Sequence, residues 1–241
     1  MNVKSRDIET PERALAIGAH PDDSDFGCGA TLAKWAAQGC DVNVLVCTDG
    51  SKGTWDSTAD KSTLIRTRQE EQIAATRALG GMGEVVFLGY PDGELPSDLE
   101  ARAAVAYWIR QLRPTVVLGH DPWKRYRLHP DHRHAGLLAC EGIVAARDPK
   151  FFPDQGVPHF RPDKLLLFEA DEPDHAEEVS GTVGAKMLAL RQHESQFEST
   201  MIKNSGGSMI DFDRRVEAKL REAGTAAGVT HAEVFKLITD L

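Results

Sequence analysis

The chain has 241 residues, 41% hydrophobic and 27% charged, a composition typical of a folded globular protein rather than a disordered or fibrous one. Its 28 Lys and Arg against 37 Asp and Glu give a formal net charge of −9, which disfavours binding to nucleic acid or to an anionic membrane surface. No stretch approaches the roughly 20 apolar residues of a membrane span.

The compartment and the domain organisation follow from similar arguments. The opening residues show no secretory leader, and the cysteines form no CxxC pair and read as reduced core residues, so a cytoplasmic protein is expected. The length suits a single domain over 1–241, with a core at about 12–170 and a helical and loop segment at about 171–241. A homo-oligomer is compatible with the sequence.

Apolar runs typical of strands alternate with stretches that have helical spacing. The strands are predicted at 14–19, 42–48, 84–90, 115–120 and 164–170. The helices are predicted at 27–38, 62–79, 97–112, 132–146, 181–195 and 211–223, and the loops at 151–163 and 205–209. Because the strands are apolar throughout and are joined by helices, the fold class is α/β: a Rossmann-like, doubly wound, mostly parallel sheet with helices on both faces.

Two clusters of histidine and aspartate follow predicted strands. The segment His20–Asp23 (HPDD) follows the first strand, and His129–His132 (HPDH) follows the fourth. In the common strand order 3-2-1-4-5 these two strands are neighbours, and the loops at their carboxyl ends face the crevice in which such sheets bind ligands. The two clusters are therefore expected to meet at one site.

The residue types in these clusters are those of a catalytic zinc site. His20, Asp23 and His132 supply two imidazoles and a carboxylate, and such a three-ligand site leaves one position open for water. Asp22 is displaced from the ligand Asp23 and is suited to act on that water as a general base. A single HPDD turn is also compatible with a helix cap, but two related motifs after neighbouring strands favour a metal. His120, which ends the fourth strand, is suited to hydrogen-bond a ligand.

Five ordered motifs resemble those of the LmbE-like zinc de-N-acetylases, the family that includes the GlcNAc-phosphatidylinositol deacetylases. They are AIGAHPDDSDFGCGATLAKWAAQGCDVNVLVCTDG, RTRQEEQIAATRALGG, YPDGEL, LHPDHRHAG and ALRQHESQF. The resemblance implies a hydrolase that removes an N-acetyl group from an amino sugar or its conjugate by means of water activated by Zn²⁺. It also implies His20, Asp23 and His132 as the zinc ligands and Asp22 as the general base.

Further residues take their roles from the same resemblance. It implies that His129 stabilises the oxyanion and that Asp131 orients His129. It also implies that Arg68 and Asp92 bind substrate, although a solvated helix face and an Asp-Gly turn are the ordinary explanations of these two residues. Trp55, in the loop after the second strand, is placed to stack on a sugar ring, with simple packing as the alternative.

The chain departs from the family pattern at two places. Many members have HPDDE, whereas this chain has Ser24 at that position and carries the acid one position later, at Asp25, as a subgroup does. Some members that act on thiol-linked cofactor precursors have a tyrosine just before the second motif, where this chain has Arg127 and Leu128 with Tyr126 nearby. The motifs therefore do not assign the protein to a thiol pathway.

Three other functions compete with amino-sugar deacetylation. The same zinc chemistry is compatible with another N-acylated small molecule, such as an antibiotic intermediate or a chitooligosaccharide. A nucleotide-binding Rossmann module is disfavoured because AHPDDSDFGCG stands where GxGxxG would cradle phosphates. A non-catalytic metal-binding scaffold is disfavoured because a structural zinc site does not need the extra carboxylate of Asp22.

Overall fold

The computed structural model describes residues 3–202 and 207–241. The strands are β1 (Ser5–Arg6), β2 (Arg13–Gly18), β3 (Asp41–Thr48), β4 (Val85–Tyr90), β5 (Val116–His120), β6 (Lys164–Phe168), β7 (His175–Glu178) and β8 (Ala232–Ile238). They form one sheet in the order β1-β7-β8-β6-β5-β2-β3-β4. Neighbouring strands are parallel except that β8 runs antiparallel to both β6 and β7.

Helices connect most of these strands. They are α1 (Asp23–Ala37), α2 (Lys61–Ala78), α3 (Leu99–Leu112), α4 (Pro130–Arg147), α5 (Val183–Leu190) and α6 (Met209–Ala227). The predicted helix at 181–195 is shorter than expected, because α5 gives way to a 3₁₀ turn at Glu194–Gln196. Among the described residues, no helix combines the length and apolar character that a membrane crossing requires.

Of the two predicted loops, one is irregular as expected and the other lies partly outside the described residues. The segment 151–163 contains one 3₁₀ turn, Pro153–Gln155, and is otherwise irregular, as expected. Of the loop predicted at 205–209, residues 205 and 206 lie outside the described residues, and Met209 already begins α6.

The order of the core strands matches the prediction. The five predicted strands correspond to β2 to β6, and their observed order β4-β3-β2-β5-β6 is the doubly wound order 3-2-1-4-5. Strands β2 and β5 are therefore neighbours, with Ala14 opposite Val116 and Ile17 opposite Gly119. This pairing brings the loops that carry the two metal motifs to the same edge of the sheet.

Alternating side chains cover both faces of the sheet. Leu15 and Ile17 of β2 pack with residues of α3 and α4, whereas Ala14 and Ala16 pack with residues of α1 and α2. Burying a leucine or isoleucine in this way stabilises the fold by about 2 kcal/mol relative to exposure. The prediction of a mostly parallel sheet with helices on both faces is confirmed.

The segment after residue 170 also contributes strands, which the sequence pattern did not indicate. β8 joins the sheet beside β6, with Leu166 opposite Leu237, and β7 pairs with β8. The four residues of β7, HAEE, have little of the β-branched and aromatic character that marks a strand, so only the tertiary pairing identifies it. The assignment of 1–241 to a single domain stays a prediction.

Two helices start earlier than predicted, and each contains one predicted metal ligand in its first turn. α1 begins at Asp23 rather than at 27, and α4 begins at Pro130, in the first helical position, where the missing N–H is not needed. Gly27 lies within α1 because the helix packs closely on Phe168: an added Cβ would lie 2.5 Å from that ring. Asp23 and His132 consequently lie in first helical turns.

Candidate metal centre

The three predicted ligands meet at the carboxyl ends of β2 and β5. His20 Nδ1 lies 3.2 Å from His132 Nε2 and 3.4 Å from Asp23 Oδ2, and His132 Nε2 lies 3.3 Å from Asp23 Oδ1. Zinc bonds of about 2.0–2.2 Å at tetrahedral angles hold ligand atoms roughly 3.3–3.5 Å apart. The observed spacing therefore fits one zinc ion between these three side chains.

The second nitrogen of His20 faces carboxylates. His20 Nε2 lies 3.1 Å from Asp131 Oδ2 and 3.2 Å from Asp92 Oδ1, the arrangement that fixes the tautomer of a metal-binding histidine. Burial lowers the pKa of His20, but hydrogen bonds with Asp131, Asp23 and Asp92 outweigh it and raise the pKa well above its ordinary value. A cation is thus favoured here, and a metal at Nδ1 would take the place of a proton.

Two other donor groups lie close enough together to hold a metal. One combines His20 with Asp92, His129 and Asp131, and the other combines His120, His132 and Glu169. The first group would use the nitrogen of His20 that faces the carboxylates described above. The group predicted from the HPDD and HPDH motifs is His20, Asp23 and His132, and all three of these residues line one cavity.

His120 lies beside the predicted ligand Asp23. Its Nε2 lies 3.1 Å from Asp23 Oδ2, and its ring stacks on that of His132 with centroids 4.4 Å apart. Burial raises the pKa of Asp23, but His132 and His120 outweigh this effect and hold the pKa well below its ordinary value. Asp23 is therefore ionised, as a metal ligand must be, and the hydrogen bond suggested for His120 stays a prediction.

Asp22 contacts different groups from Asp23. It is the residue before α1, with φ of 104°, in the left-handed region that a non-glycine residue rarely adopts, and its N–H donates to Gln72 Oε1 at 2.7 Å. Its side chain makes no capping hydrogen bond and lies 3.5 Å from Arg68 Nη2. Burial raises the pKa of Asp22 to about 6, against the opposing charge of Arg68. Asp22 is thus a buried carboxylate beside the metal centre that does not cap α1.

His129 and Asp131 both lie close to His20, and the donor atoms of the three side chains lie within 4.8 Å of one another. His129 is exposed at the rim, with its ring centroid 4.7 Å from that of His20. Asp131 is fully buried and accepts hydrogen bonds from the N–H groups of Gly93 at 2.6 Å and Leu95 at 3.2 Å. Asp131 therefore contacts His20, and its implied role in orienting His129 stays a prediction. Burial and the nearby His20 lower the pKa of His129.

Of the predicted substrate-binding residues, two line the cavity at the metal centre. This cavity of about 490 Å³ includes Arg68 and Asp92 in its wall. Arg68 is 3% exposed and donates to the carbonyl oxygens of Gly50 and Pro21, so it does not lie on a solvated helix face. Trp55 is 69% exposed and lies outside the lining of the cavity, with its indole N–H 3.4 Å from the carbonyl oxygen of Ser199.

Other residues besides the predicted ones line the cavity, and three of them have long polar side chains. They are Lys52, Glu169 and Gln196. Glu169 directly follows β6, so the rule that ligands bind at strand ends would have found it. Gln196 belongs to the motif ALRQHESQF and donates to the carbonyl oxygen of Gly53 at 2.9 Å, which ties the C-terminal segment to the site.

Asp25, the acid of the first motif that stands one position later than in many family members, pairs with a residue of the C-terminal motif ALRQHESQF. His193 Nε2 lies 3.0 Å from Asp25 Oδ2, and both residues are buried. Gln72 donates to Asp25 at 2.9 Å and accepts from the N–H of Asp22. A continuous set of hydrogen bonds thus connects His193 to the backbone of Asp22, and this accounts for an acid at position 25 instead of 24.

Comparison with known proteins identifies relatives that span most of this chain. It is 36% identical over 189 residues to the diacetylchitobiose deacetylase of Thermococcus kodakarensis, covering 77% of this chain and 70% of that protein. It is 31% identical over 170 residues to a 1D-myo-inositol 2-acetamido-2-deoxy-alpha-D-glucopyranoside deacetylase of Streptomyces avermitilis, covering 61% and 58%.

Structural comparison and a family model agree with these relatives. The N,N'-diacetylchitobiose deacetylase of Pyrococcus horikoshii, solved with an inhibitor, superposes with a TM-score of 0.86 at 28% identity, covering 95% of this chain and 84% of that one. The family model described as PIG-L, GlcNAc-PI de-N-acetylase, matches residues 15–143. The chain therefore belongs to the GlcNAc-PI de-N-acetylase (PIG-L) family, as its motifs predict.

Proposed function

We propose that this protein is a zinc-dependent N-deacetylase that hydrolyses the acetamide group of an N-acetylated amino sugar or its conjugate. The observation that carries the proposal is the convergence of His20, Asp23 and His132 within 3.2–3.4 Å of one another, beside the separate carboxylate of Asp22. An amino-sugar substrate is supported by relatives named diacetylchitobiose deacetylase and 2-acetamido-2-deoxy-glucopyranoside deacetylase.

The ligand residues would hold zinc through His20 Nδ1, His132 Nε2 and the carboxylate of Asp23. When bound, zinc supplies Lewis acidity, which polarises the acetyl carbonyl and lowers the pKa of water from about 16 towards about 7. Asp131 and Asp92 hold the other nitrogen of His20 at 3.1 and 3.2 Å, so the lone pair of Nδ1 is directed at the metal position.

Asp22 would act as the general base. Its raised pKa, about 6, lies close to a neutral working pH, where a carboxylate is still ionised but is a better proton acceptor than an ordinary one. Arg68, 3.5 Å away, favours the ionised form. Asp22 takes a proton from the attacking water, and the leaving amine then receives a proton from Asp22 or from His129.

His129 would stabilise the oxyanion that forms on the acetyl group. It lines the cavity together with His20 and His132, and its position at the rim lets a ring N–H face the substrate. One such hydrogen bond, present only in the transition state, typically lowers the barrier by about 3–4 kcal/mol. Because burial lowers the pKa of His129, the developing negative charge must favour its protonated form.

The cavity and the cysteines support two further parts of the proposal. A volume of about 490 Å³ with Arg68 and Asp92 in the wall suits one sugar ring held through its hydroxyl groups. A cytoplasmic location is supported by Cys28, Cys40 and Cys47, which are buried free thiols, as expected in a reducing compartment. A homo-oligomeric assembly is compatible with the proposal.

The proposal is tested by metal analysis together with a deacetylation screen. The substrates are N-acetylglucosamine, N,N'-diacetylchitobiose and an inositol conjugate of N-acetylglucosamine. We expect one zinc per chain and acetate release from at least one substrate, with activity lost on chelation and restored by zinc. Zinc-loaded protein that releases acetate from none of the three would contradict the proposal.

A further inference from the structure

The loop between β5 and α4 exposes two aromatic side chains beside the metal centre. Trp123 and Tyr126 are 64% and 86% exposed, although both carry large apolar rings. Both line a second cavity, of about 630 Å³, which is distinct from the cavity at the metal centre. Exposed aromatic surface that lines a cavity is more typical of a binding site than of packing.

The backbone holds Tyr126 in its exposed position. Its φ is 62°, in the left-handed region that a bulky residue rarely adopts. The N–H of Arg125 donates to Asp171 on one side, and Arg127 forms an ion pair with Glu169 at 2.8 Å on the other. Contacts on both sides therefore maintain an unfavourable backbone conformation that leaves the tyrosine ring exposed, and such conformations cluster at ligand-binding sites.

The second cavity adjoins the metal centre. Glu169 lines the metal cavity, and the guanidinium of Arg127 lies 3.3 Å from Nδ1 of the ligand His132. Their close sequence neighbours, Tyr126 and Asp171, line the second cavity instead. The loop before α4 and the residues after β6 thus contribute to both cavities, which places the second cavity next to the first.

The chemistry of the second cavity suits a neutral sugar. Carboxylates of Asp121, Asp171 and Glu172 line it and can accept hydrogen bonds from hydroxyl groups. Arg125 and Lys236 are the basic residues of the lining, so acidic and basic groups nearly balance and an anionic ligand is not favoured. The rings of Trp123 and Tyr126 add flat apolar surface for the C–H face of a pyranose.

We infer that the second cavity binds a further, neutral sugar unit of a substrate whose N-acetylated sugar lies at the metal. The inference rests on the proposed function and narrows its substrate class to di- and oligosaccharides. Trp123 and Tyr126 are then specificity-determining residues, because they contact a part of the substrate that a monosaccharide lacks.

The test compares a monosaccharide with an oligosaccharide on zinc-loaded protein. We expect Trp123→Ala and Tyr126→Ala each to raise KM for triacetylchitotriose about threefold to tenfold, the scale of one aromatic contact. kcat/KM for N-acetylglucosamine should stay within about twofold of wild type. The matched control is Leu128→Ala, in the same loop, 93% exposed and outside the second cavity, which should leave both substrates unaffected.

Three results would overturn the inference. The first is an unchanged KM for triacetylchitotriose in both aromatic variants. The second is an equal loss on both substrates, which would make the loop part of the metal site itself. The third is a change of oligomeric state: if Trp123→Ala converts an oligomer into monomers by light scattering, a second copy of the chain covers this cavity.

A binding measurement separates this inference from the proposed function. Calorimetric titration of zinc-loaded Asp22→Asn with triacetylchitotriose reads affinity without turnover, and adding Trp123→Ala should weaken that affinity by the same threefold to tenfold. Binding that depends on Trp123 in a protein that deacetylates no sugar would uphold the second cavity and reject the deacetylase. If the wild-type protein deacetylates a sugar but the affinity for triacetylchitotriose does not depend on Trp123, the proposed function stands and the second cavity is rejected as a sugar site.

Discussion

His20 Nδ1 and His132 Nε2 lie 3.2 Å apart although 112 positions separate the two residues in the chain. The separation is bridged because β2 and β5 are adjacent parallel strands whose carboxyl ends open on one edge of the sheet. Two neutral imidazole nitrogens at this distance in a buried site need a proton or a metal ion between them. The pair therefore makes metal content the most direct measurement of the site.

Replacement of a ligand should remove the metal. His132→Ala deletes one of three protein ligands, and we expect the purified protein to carry much less than one zinc per chain by atomic emission spectrometry. His159→Ala is the matched control, since His159 is exposed and lies outside the donor groups, and it should retain the metal. One tightly held equivalent in the His132→Ala protein would show that the ligand set is wrong.

Asp22→Asn should separate metal binding from catalysis. Asparagine keeps the shape of the side chain but cannot accept the proton of water, so turnover should fall about a hundredfold or more while zinc stays bound. Zinc per chain and acetate release are measured on the same preparation. Near-normal turnover would exclude Asp22 as the base, and loss of zinc would instead make Asp22 a ligand.

His129→Ala should affect the transition state and not the metal. We expect kcat to fall about a hundredfold or more, the scale of one lost oxyanion contact, with zinc content unchanged. Because Asp131 hydrogen-bonds to His20, Asp131→Asn should in addition weaken zinc binding, which His129→Ala should not. A loss confined to KM in His129→Ala would assign His129 to binding of the ground-state substrate.

Two glycines of α1 should respond in opposite directions to alanine. In Gly27→Ala the new Cβ would lie 2.5 Å from the fully buried Phe168 ring, so overpacking should lower the free energy of unfolding by about 1–3 kcal/mol. In Gly29→Ala the nearest atom lies 3.5 Å from the new Cβ, so there is room for it. The gain in helix propensity should raise the free energy of unfolding by about 0.5–1 kcal/mol. Urea unfolding of both proteins tests the pair, and equal effects would contradict the packing described here.

The buried pair of His193 and Asp25 should make stability depend on pH. Burial lowers the pKa of His193, but its hydrogen bond with Asp25 and the charges of Asp25, Asp22 and Glu71 outweigh this and raise it. A raised pKa contributes stability that is complete below the unfolded value of about 6.5 and is lost as pH rises through the folded value.

The matched variant is His193→Gln, which keeps a donor for Asp25 but carries no charge. The difference in free energy of unfolding between wild type and His193→Gln should be larger at pH 6 than at pH 9, measured at equal zinc occupancy. A difference that is constant over this range would mean that His193 is uncharged in the folded protein.

Much of the fold and of the candidate metal site could be predicted from the sequence alone. Apolar runs spaced by helical segments identified the five core strands, and the strand order confirmed by the structure followed from general rules for parallel sheets. The candidate ligands His20, Asp23 and His132 could be predicted because the HPDD and HPDH motifs lie in the segments that follow two predicted strands, and the topology brings the carboxyl ends of those strands together. These patterns are local or periodic, so they can be recognised in the sequence without a structure.

The tertiary structure decided how the buried polar groups are paired. Asp131 turns to His20, the guanidinium of Arg68 is buried against two backbone carbonyls, and Glu169 enters the cavity from β6. Each of these choices depends on which loops meet at the sheet edge and on the need to pair every polar group removed from water. The spacing of residues along the chain does not indicate which polar groups will pair, whereas hydrophobic periodicity indicates directly which residues face the core.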